Sequence, residues 1–140
     1  MDKPFTLHQR LQEDCFTVKD LPLCRVLLMN ETRYPWFILV PRVAGLTELM
    51  QLSDADARQY WFESALTQRF LSTELNADKL NVAALGNVVP QLHVHHIGRF
   101  SHDEAWPAPV WGKFPAKPYS QDASSALISQ FIEYTQGEPG

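Results

Sequence analysis

Residues 36–40, Trp-Phe-Ile-Leu-Val, form an uninterrupted apolar run that Pro41 closes. The run is short and rich in aromatic and β-branched side chains, so it predicts a buried central strand. The segments around it alternate in type. Residues 5–14 predict a short amphipathic helix, with Leu7 and Leu11 one turn apart. Residues 15–19 and 23–29 are apolar and β-prone on either side of Asp20-Leu21-Pro22, and predict a hairpin. Ser53 is a good N-cap for a helix running to about Leu75, and Asp54 and Asp56 suit its positive end. Phe62, Leu66 and Phe70 recur every fourth residue there, and Trp61, Ala65, Leu71 and Leu75 widen the stripe into a core-facing side. Residues 80–85 predict a strand, Gly86-Asn87 a turn, and Gln91 to Phe100 another strand. A last helix is expected over residues 122–134, with Leu127, Ile128, Phe131 and Ile132 on one face. Strands and helices in this order indicate an α+β fold, an antiparallel sheet with flanking helices.

At 140 residues the chain suits one domain, able to bury its own core without a disulfide or a metal. A formal charge of −4 argues against nucleic acid and against an anionic membrane as partners, so an anionic substrate must be drawn in locally. No apolar run approaches the roughly 18 residues that would cross a bilayer, and the N-terminal residues lack the apolar stretch of a signal peptide. Cys15 and Cys24 are too few for a disulfide framework and are expected to be small buried residues, which fits a cytoplasmic protein. Residues 101–120 hold Pro107, Pro109, Pro115 and Pro118 together with Trp106 and Trp111. They predict an irregular but ordered arm whose tryptophans anchor it to the body or to a second subunit.

The chemistry concentrates in residues 91–99, Gln-Leu-His-Val-His-His-Ile-Gly-Arg. On a strand, Gln91, His93, His95 and Ile97 share one face, and Leu92, Val94 and His96 the other. A neutral imidazole is a nucleophile at pH 7 and can attack phosphorus to form a covalent phosphoramidate. A second imidazole two residues on can bond a phosphoryl oxygen or assist the leaving group, so His93 and His95 form the working pair. His96 faces away and reads as a packed or interface histidine, and His8 and His102 as surface residues. Gly86-Asn87 could aim backbone N–H groups at an anion. Arg99 could supply fixed positive charge or be a solvated cation.

These residues resemble the motif of the histidine triad superfamily of nucleotide hydrolases and transferases, His-φ-His-φ-His-φ-φ with φ apolar, followed by a Gly/Pro-Arg segment. Here the motif reads Gln91-Leu92-His93-Val94-His95-His96-Ile97, then Gly98-Arg99, and Val40-Pro41-Arg42 resembles the family's Val-Ile-Pro-Lys segment. The resemblance covers about residues 15–100, the expected core of a single domain spanning 1–140, with an arm and helix over 101–140. It implies that His93 attacks the α-phosphate of a nucleotide and that His95 contacts phosphate and the leaving oxygen. It also places Asn87 with Gly86 on phosphate, and Asn30 near an acid that binds ribose. Two departures stand out. Gln91 replaces the first histidine, although its main-chain carbonyl can still orient the His93 imidazole. Trp36 opens the apolar run, in a strand where the family commonly has a histidine.

The implied activity is hydrolysis of a nucleotide phosphoramidate or phosphoanhydride, or nucleotidyl transfer, through a nucleotidyl-histidine intermediate. Gln91 and Asn87 would hold the phosphate, and the substrate would be a purine nucleotide or dinucleotide-like molecule. The alternative is a nucleotide-binding module without turnover, with Gln91 marking the lost activity. The implied assembly is a homodimer. No cofactor is called for. A zinc site needs three or four protein ligands, and His-x-His without a nearby cysteine pair or carboxylate falls short of that.

Overall fold

The structure, a computed structural model, describes residues 4–137. The apolar run becomes β3 (Trp36–Pro41), buried along its whole length. Around it lie β1 (Cys15–Asp20), β2 (Cys24–Met29), β4 (Lys79–Ala83) and β5 (Val94–Arg99). Their order in the sheet is β1-β2-β3-β5-β4, and every neighbouring pair is antiparallel. The helices are α1 (Gln9–Asp14), α2 (Asp54–Arg69) and α3 (Gln121–Gln136). The fold is α+β, an open antiparallel sheet with flanking helices.

Alternation of side chains along the strands gives this sheet two different coats. On one face Val26, Leu28, Phe37 and Leu39 pack against Leu66 of α2, against Phe70 and Leu71 just beyond its end, and against Phe131 of α3. Phe37 stacks on Phe131 with ring centroids 4.8 Å apart, and Phe70 meets Phe131 edge-on at 5.1 Å. Each such fully buried ring contributes roughly 2–3 kcal/mol. On the other face Leu27, Trp36, Ile38, Val40 and Ile97 are covered by the N-terminal segment, through Leu7 and Leu11, and by the C-terminal arm, through Ala105 and Val110. Among the described residues no helix longer than α1 covers this second face, which leaves room for a cavity.

The two long helices start within a residue of where they are expected. Ser53 Oγ accepts from the Asp56 N–H, and Ser120 Oγ from the Ala123 N–H. The inner side of α2 differs from its apolar stripe. Trp61 is 63% exposed, whereas Glu63 and Ser64 are buried. The reason is local polar demand, since the Glu63 carboxylate accepts the N–H groups of Leu23 and Cys24 at 2.8 and 2.7 Å and so closes the β1–β2 turn against the helix. Such paired burial is tolerated where an isolated buried charge would not be. The helix passes into a π-helical turn over Phe70–Glu74, and Asn76 ends it at φ 59°.

Three boundaries move. The first helix covers only residues 9–14, β4 stops at Ala83, and the histidine strand starts at Val94 rather than Gln91. Residues 84–93 are irregular, because Gly86 takes φ +76° and Pro90 has no N–H to give a ladder. The arm is irregular and ordered, as expected. Arg33 binds Glu31, Glu104 and the Pro115 carbonyl together, and the Thr32 N–H donates to the Lys117 carbonyl.

Candidate functional site

β3 and β5 pair so that Ile38 lies opposite His95 and Phe37 opposite His96. The two adjacent histidines therefore enter opposite coats of the sheet. His93 precedes the strand yet ends beside His95, their ring centroids 5.0 Å apart in edge geometry. Both are 7% exposed, and both line one cavity of about 350 Å³ on the coat without long helices.

Hydrogen bonds fix the protonation pattern of this pair. The Gln91 carbonyl oxygen lies 2.7 Å from His93 Nδ1. A carbonyl only accepts, so Nδ1 carries a proton, and in the neutral ring it is Nε2 that keeps the lone pair. The Trp36 indole Nε1–H donates to His95 Nδ1 at 2.9 Å. An indole only donates, so the His95 proton sits on Nε2. Burial, with the neighbouring His93 and His96 adding to it, lowers the His95 pKa to about 3. His95 is thus a neutral N–H donor at physiological pH, next to a histidine with a bare nitrogen.

The cavity is otherwise lined largely by apolar side chains, among them Leu11, Met29, Ile38, Val89 and Trp111. Trp111 stands edge-on to His95 at 5.4 Å and to Trp36 at 6.1 Å. The arm therefore completes the wall of the site, a role that its tryptophan content alone did not specify. Cys15 also lines the cavity and is half-buried, against the expectation of a plain core residue. Burial, reinforced by Asp14, pushes its thiol up to about 12, which keeps it protonated. Gly86 and Asn87 lie on the rim with Arg10 and Asp14.

Three candidates are engaged elsewhere. The Gln91 side chain turns to the N-terminal segment, where Oε1 accepts from the His8 N–H and Nε2 donates to the Thr6 carbonyl, each at 2.8 Å. Both polar atoms of its carboxamide are engaged there, because the chain is not yet a strand at residue 91 and period-two alternation does not apply. Arg99 is 2% exposed and forms a two-pronged ion pair with Asp103 plus a bond to Asn81. Burial alone would raise the Asp103 carboxyl, but Arg99 and nearby backbone N–H groups hold it below the usual carboxylate range. Asn30 Oδ1 accepts from the Tyr119 N–H and ties down the arm. Neither Arg99 nor Asn30 lines the cavity. Among the described residues, no group of three or more His, Cys, Asp or Glu is placed to hold a metal ion.

His96 lies in the sealed coat, 0% exposed. Its Nδ1–H donates to the Val94 carbonyl at 3.0 Å, and its Nε2 accepts from Ser64 Oγ–H at 2.7 Å. Gln68 in turn donates to Ser64. Burial lowers the His96 pKa to about 4.

The HIT domain model matches residues 10–102, the span that contains the histidine pair and the five strands. The chain belongs to the HIT-domain family. Members of this family are generally nucleotide-binding hydrolases or transferases. A histidine triad protein from Marinobacter aquaeolei VT8 is 42% identical to this HIT protein, superimposes with a TM-score of 0.93, and is matched over 96% of this chain and 98% of its own. A histidine triad protein from Bradyrhizobium japonicum is 40% identical with a TM-score of 0.92, over 94% and 98% of the two chains. One from Sinorhizobium meliloti 1021 is also 40% identical, with a TM-score of 0.90, over 93% and 96%. No curated protein sequence matches the chain. Among the described residues, no helix is long and apolar enough to cross a membrane.

Proposed function

We propose that this HIT protein cleaves or transfers nucleotides through a covalent nucleotidyl-histidine intermediate. The observation that carries this reading is the complementary tautomer pair, a bare His93 Nε2 beside a neutral His95 Nε2–H on one cavity wall. His93 Nε2 attacks the α-phosphorus and forms an N–P bond. The bond from phosphorus to the leaving oxygen or nitrogen breaks, and the leaving group keeps the electron pair and takes a proton from solvent. The His93 ring is now cationic, and its Nδ1–H to the Gln91 carbonyl stabilises that charge. His95 donates a hydrogen bond to the phosphoryl group rather than a proton, since loss of its one N–H would leave an imidazolate. Water then attacks phosphorus and gives up a proton to solvent, the N–P bond breaks with its electron pair returning to His93 Nε2, and the nucleoside monophosphate leaves. The apolar wall suits a purine base, Gly86 and Asn87 line the cavity where they could meet phosphate, and the Asp14 carboxylate on the rim can accept ribose hydroxyls in place of Asn30.

The test is AMP release from adenosine 5′-phosphoramidate and from a dinucleoside polyphosphate, with His93→Ala in parallel. Release by the wild-type protein and its loss in His93→Ala are expected. AMP binding without any release would instead favour a nucleotide-binding module. Equal release by His93→Ala would overturn the nucleophile.

Two further parts of the reading concern assembly and compartment. β4 is an open edge of the sheet. Val82 on it is 43% exposed and lies opposite His96, whose partner Ser64 is one helical turn from the exposed Trp61. This apolar edge supports a homodimer, which light scattering tests. The two free cysteines fit a reducing cytoplasm.

A further inference from the structure

The phosphate site as described lacks a cation. Arg99 is locked to Asp103 and Asn81. Of the described residues lining the cavity, Arg10 is the one Lys or Arg. Arg10 is exposed and forms no ion pair among the described residues, although Asp14 lies one turn along the same helix.

Arg10 is also held in an unusual way. A helix of six residues has no stability of its own, because nucleation costs more than so few bonds return. Here it is fastened at both ends. The Gln91 carboxamide pairs with the backbone on both sides of Leu7, like one rung of a β-ladder, through the Thr6 carbonyl and the His8 N–H. His8 Nδ1 then caps the helix by accepting from the Arg10 N–H. Leu7 and Leu11 are buried under the sheet, and the Asp14 carbonyl takes the Asn30 N–H. The residue whose carbonyl orients the nucleophile therefore uses its side chain to fix the segment that carries the cavity's cation.

We propose that Arg10 is a specificity residue that binds the phosphate beyond the one His93 attacks, and that Gln91 is the positioning residue that delivers it. This rests on the nucleotide reading above and adds a substrate class to it. The favoured substrates are nucleotides with at least one further anionic phosphate, in preference to nucleoside phosphoramidates with an uncharged leaving group. A guanidinium fits such a group through paired N–H donors.

The experiment is calorimetric titration of wild-type protein and variants with AMP and with α,β-methylene-ADP, in which the scissile bridge cannot be cleaved. Wild type is expected to prefer the diphosphate analogue. Arg10→Ala should cut that preference about tenfold, the usual scale of a charge-assisted contact, and Arg10→Lys should restore part of it. Gln91→Ala should cut it similarly and speed hydrogen exchange at the His8 amide. Adding Gln91→Ala to Arg10→Ala should change the preference little further. Gln91→Glu, which keeps the acceptor but not the donor, should fall between. A preference unchanged in Arg10→Ala overturns the assignment of Arg10 while leaving nucleotide binding in place. A preference unchanged in Gln91→Ala overturns the clasp. Wild-type protein that binds neither nucleotide overturns the functional reading and this inference together.

Discussion

His95 and His96 are neighbours in the chain and opposites in the molecule. Both are kept neutral by burial, and both have Nδ1 committed to a hydrogen bond within the protein. They differ in direction and in what remains free. His95 accepts at Nδ1 from Trp36, so its Nε2–H points onward and the ring lines a cavity. His96 donates at Nδ1 to Val94, so its Nε2 must accept, and Ser64 fills that need in a coat closed to solvent. A strand displays alternate residues to two environments, and here the tautomer that each environment imposes separates a histidine with a spare donor from one with nothing spare. Motif membership alone does not make that distinction.

The largest contrast is expected between the two faces under substitution. His93→Ala removes the bare nitrogen and should lower turnover by at least about 10³-fold, in line with losses on deleting a nucleophile, with folding retained because the side chain borders a cavity. Steady-state kinetics beside a thermal melt check this. A His93→Ala protein within tenfold of wild type would place the chemistry elsewhere.

The acid response sharpens the comparison next. The imidazole's ordinary pKa is 6.5, and the folded protein holds His95 near 3 and His96 near 4. Above pH 6.5 folded and unfolded chains are both neutral at these sites, and the stability is fully present. Below it the unfolded chain takes up protons that the folded one refuses, so stability falls as pH falls, by about 1.4 kcal/mol per unit for each histidine. The expected loss between pH 7 and pH 5 is about 4 kcal/mol for the pair, measured by urea unfolding at each pH. His95→Gln should reduce that loss by about half. A stability flat across this window would mean that both rings are reached by water.

How much of this could be read from residues follows from the range of the forces involved. The central strand, the cap at Ser53 and the opposite facing of His95 and His96 depend on local signals, and all are visible in the chain. The side-chain contacts of Gln91 and Asn30 are not, because their partners are backbone groups 85 and 89 positions away. Arg99 sits beside Asp103 in sequence, and an i,i+4 acid was the available sign that its charge is spent. The buried place of Glu63 in α2 could not be read from a helical stripe, because its ligands are the N–H groups of a distant turn. Trp36 reads as a departure from the family pattern, and only the structure reveals that its N–H sets the His95 tautomer.

That bond gives the third prediction. Trp36→Phe keeps an aromatic ring against Trp111 but deletes the donor to His95 Nδ1. The freed imidazole can then hold its proton on either nitrogen, and a fraction of molecules loses the Nε2–H that faces the cavity. Turnover should fall about 10- to 100-fold, less than the roughly 10⁴-fold seen when a triad imidazole is forced into the wrong tautomer. NMR of the ring nitrogens should report a mixed His95 tautomer. A variant with unchanged turnover and an unmixed spectrum would assign the tautomer to something other than Trp36.

The smallest effect belongs to the sealed side. Ser64→Ala leaves His96 Nε2 without a donor in a place that water does not reach, and an unsatisfied buried acceptor costs about 1–3 kcal/mol. Two features place the cost at the low end. Gln68 already donates to Ser64 and lies on the same helix one turn on, so its amide can shift toward the vacated nitrogen. Deletion of a hydroxyl also leaves little void. Stability should fall by about 1 kcal/mol, and turnover should stay within about twofold, because the affected group and the reacting nitrogen lie on opposite sides of the sheet. Urea unfolding and steady-state kinetics on one preparation check both halves. A Ser64→Ala protein of normal stability and impaired turnover would invert the assignment of the two faces.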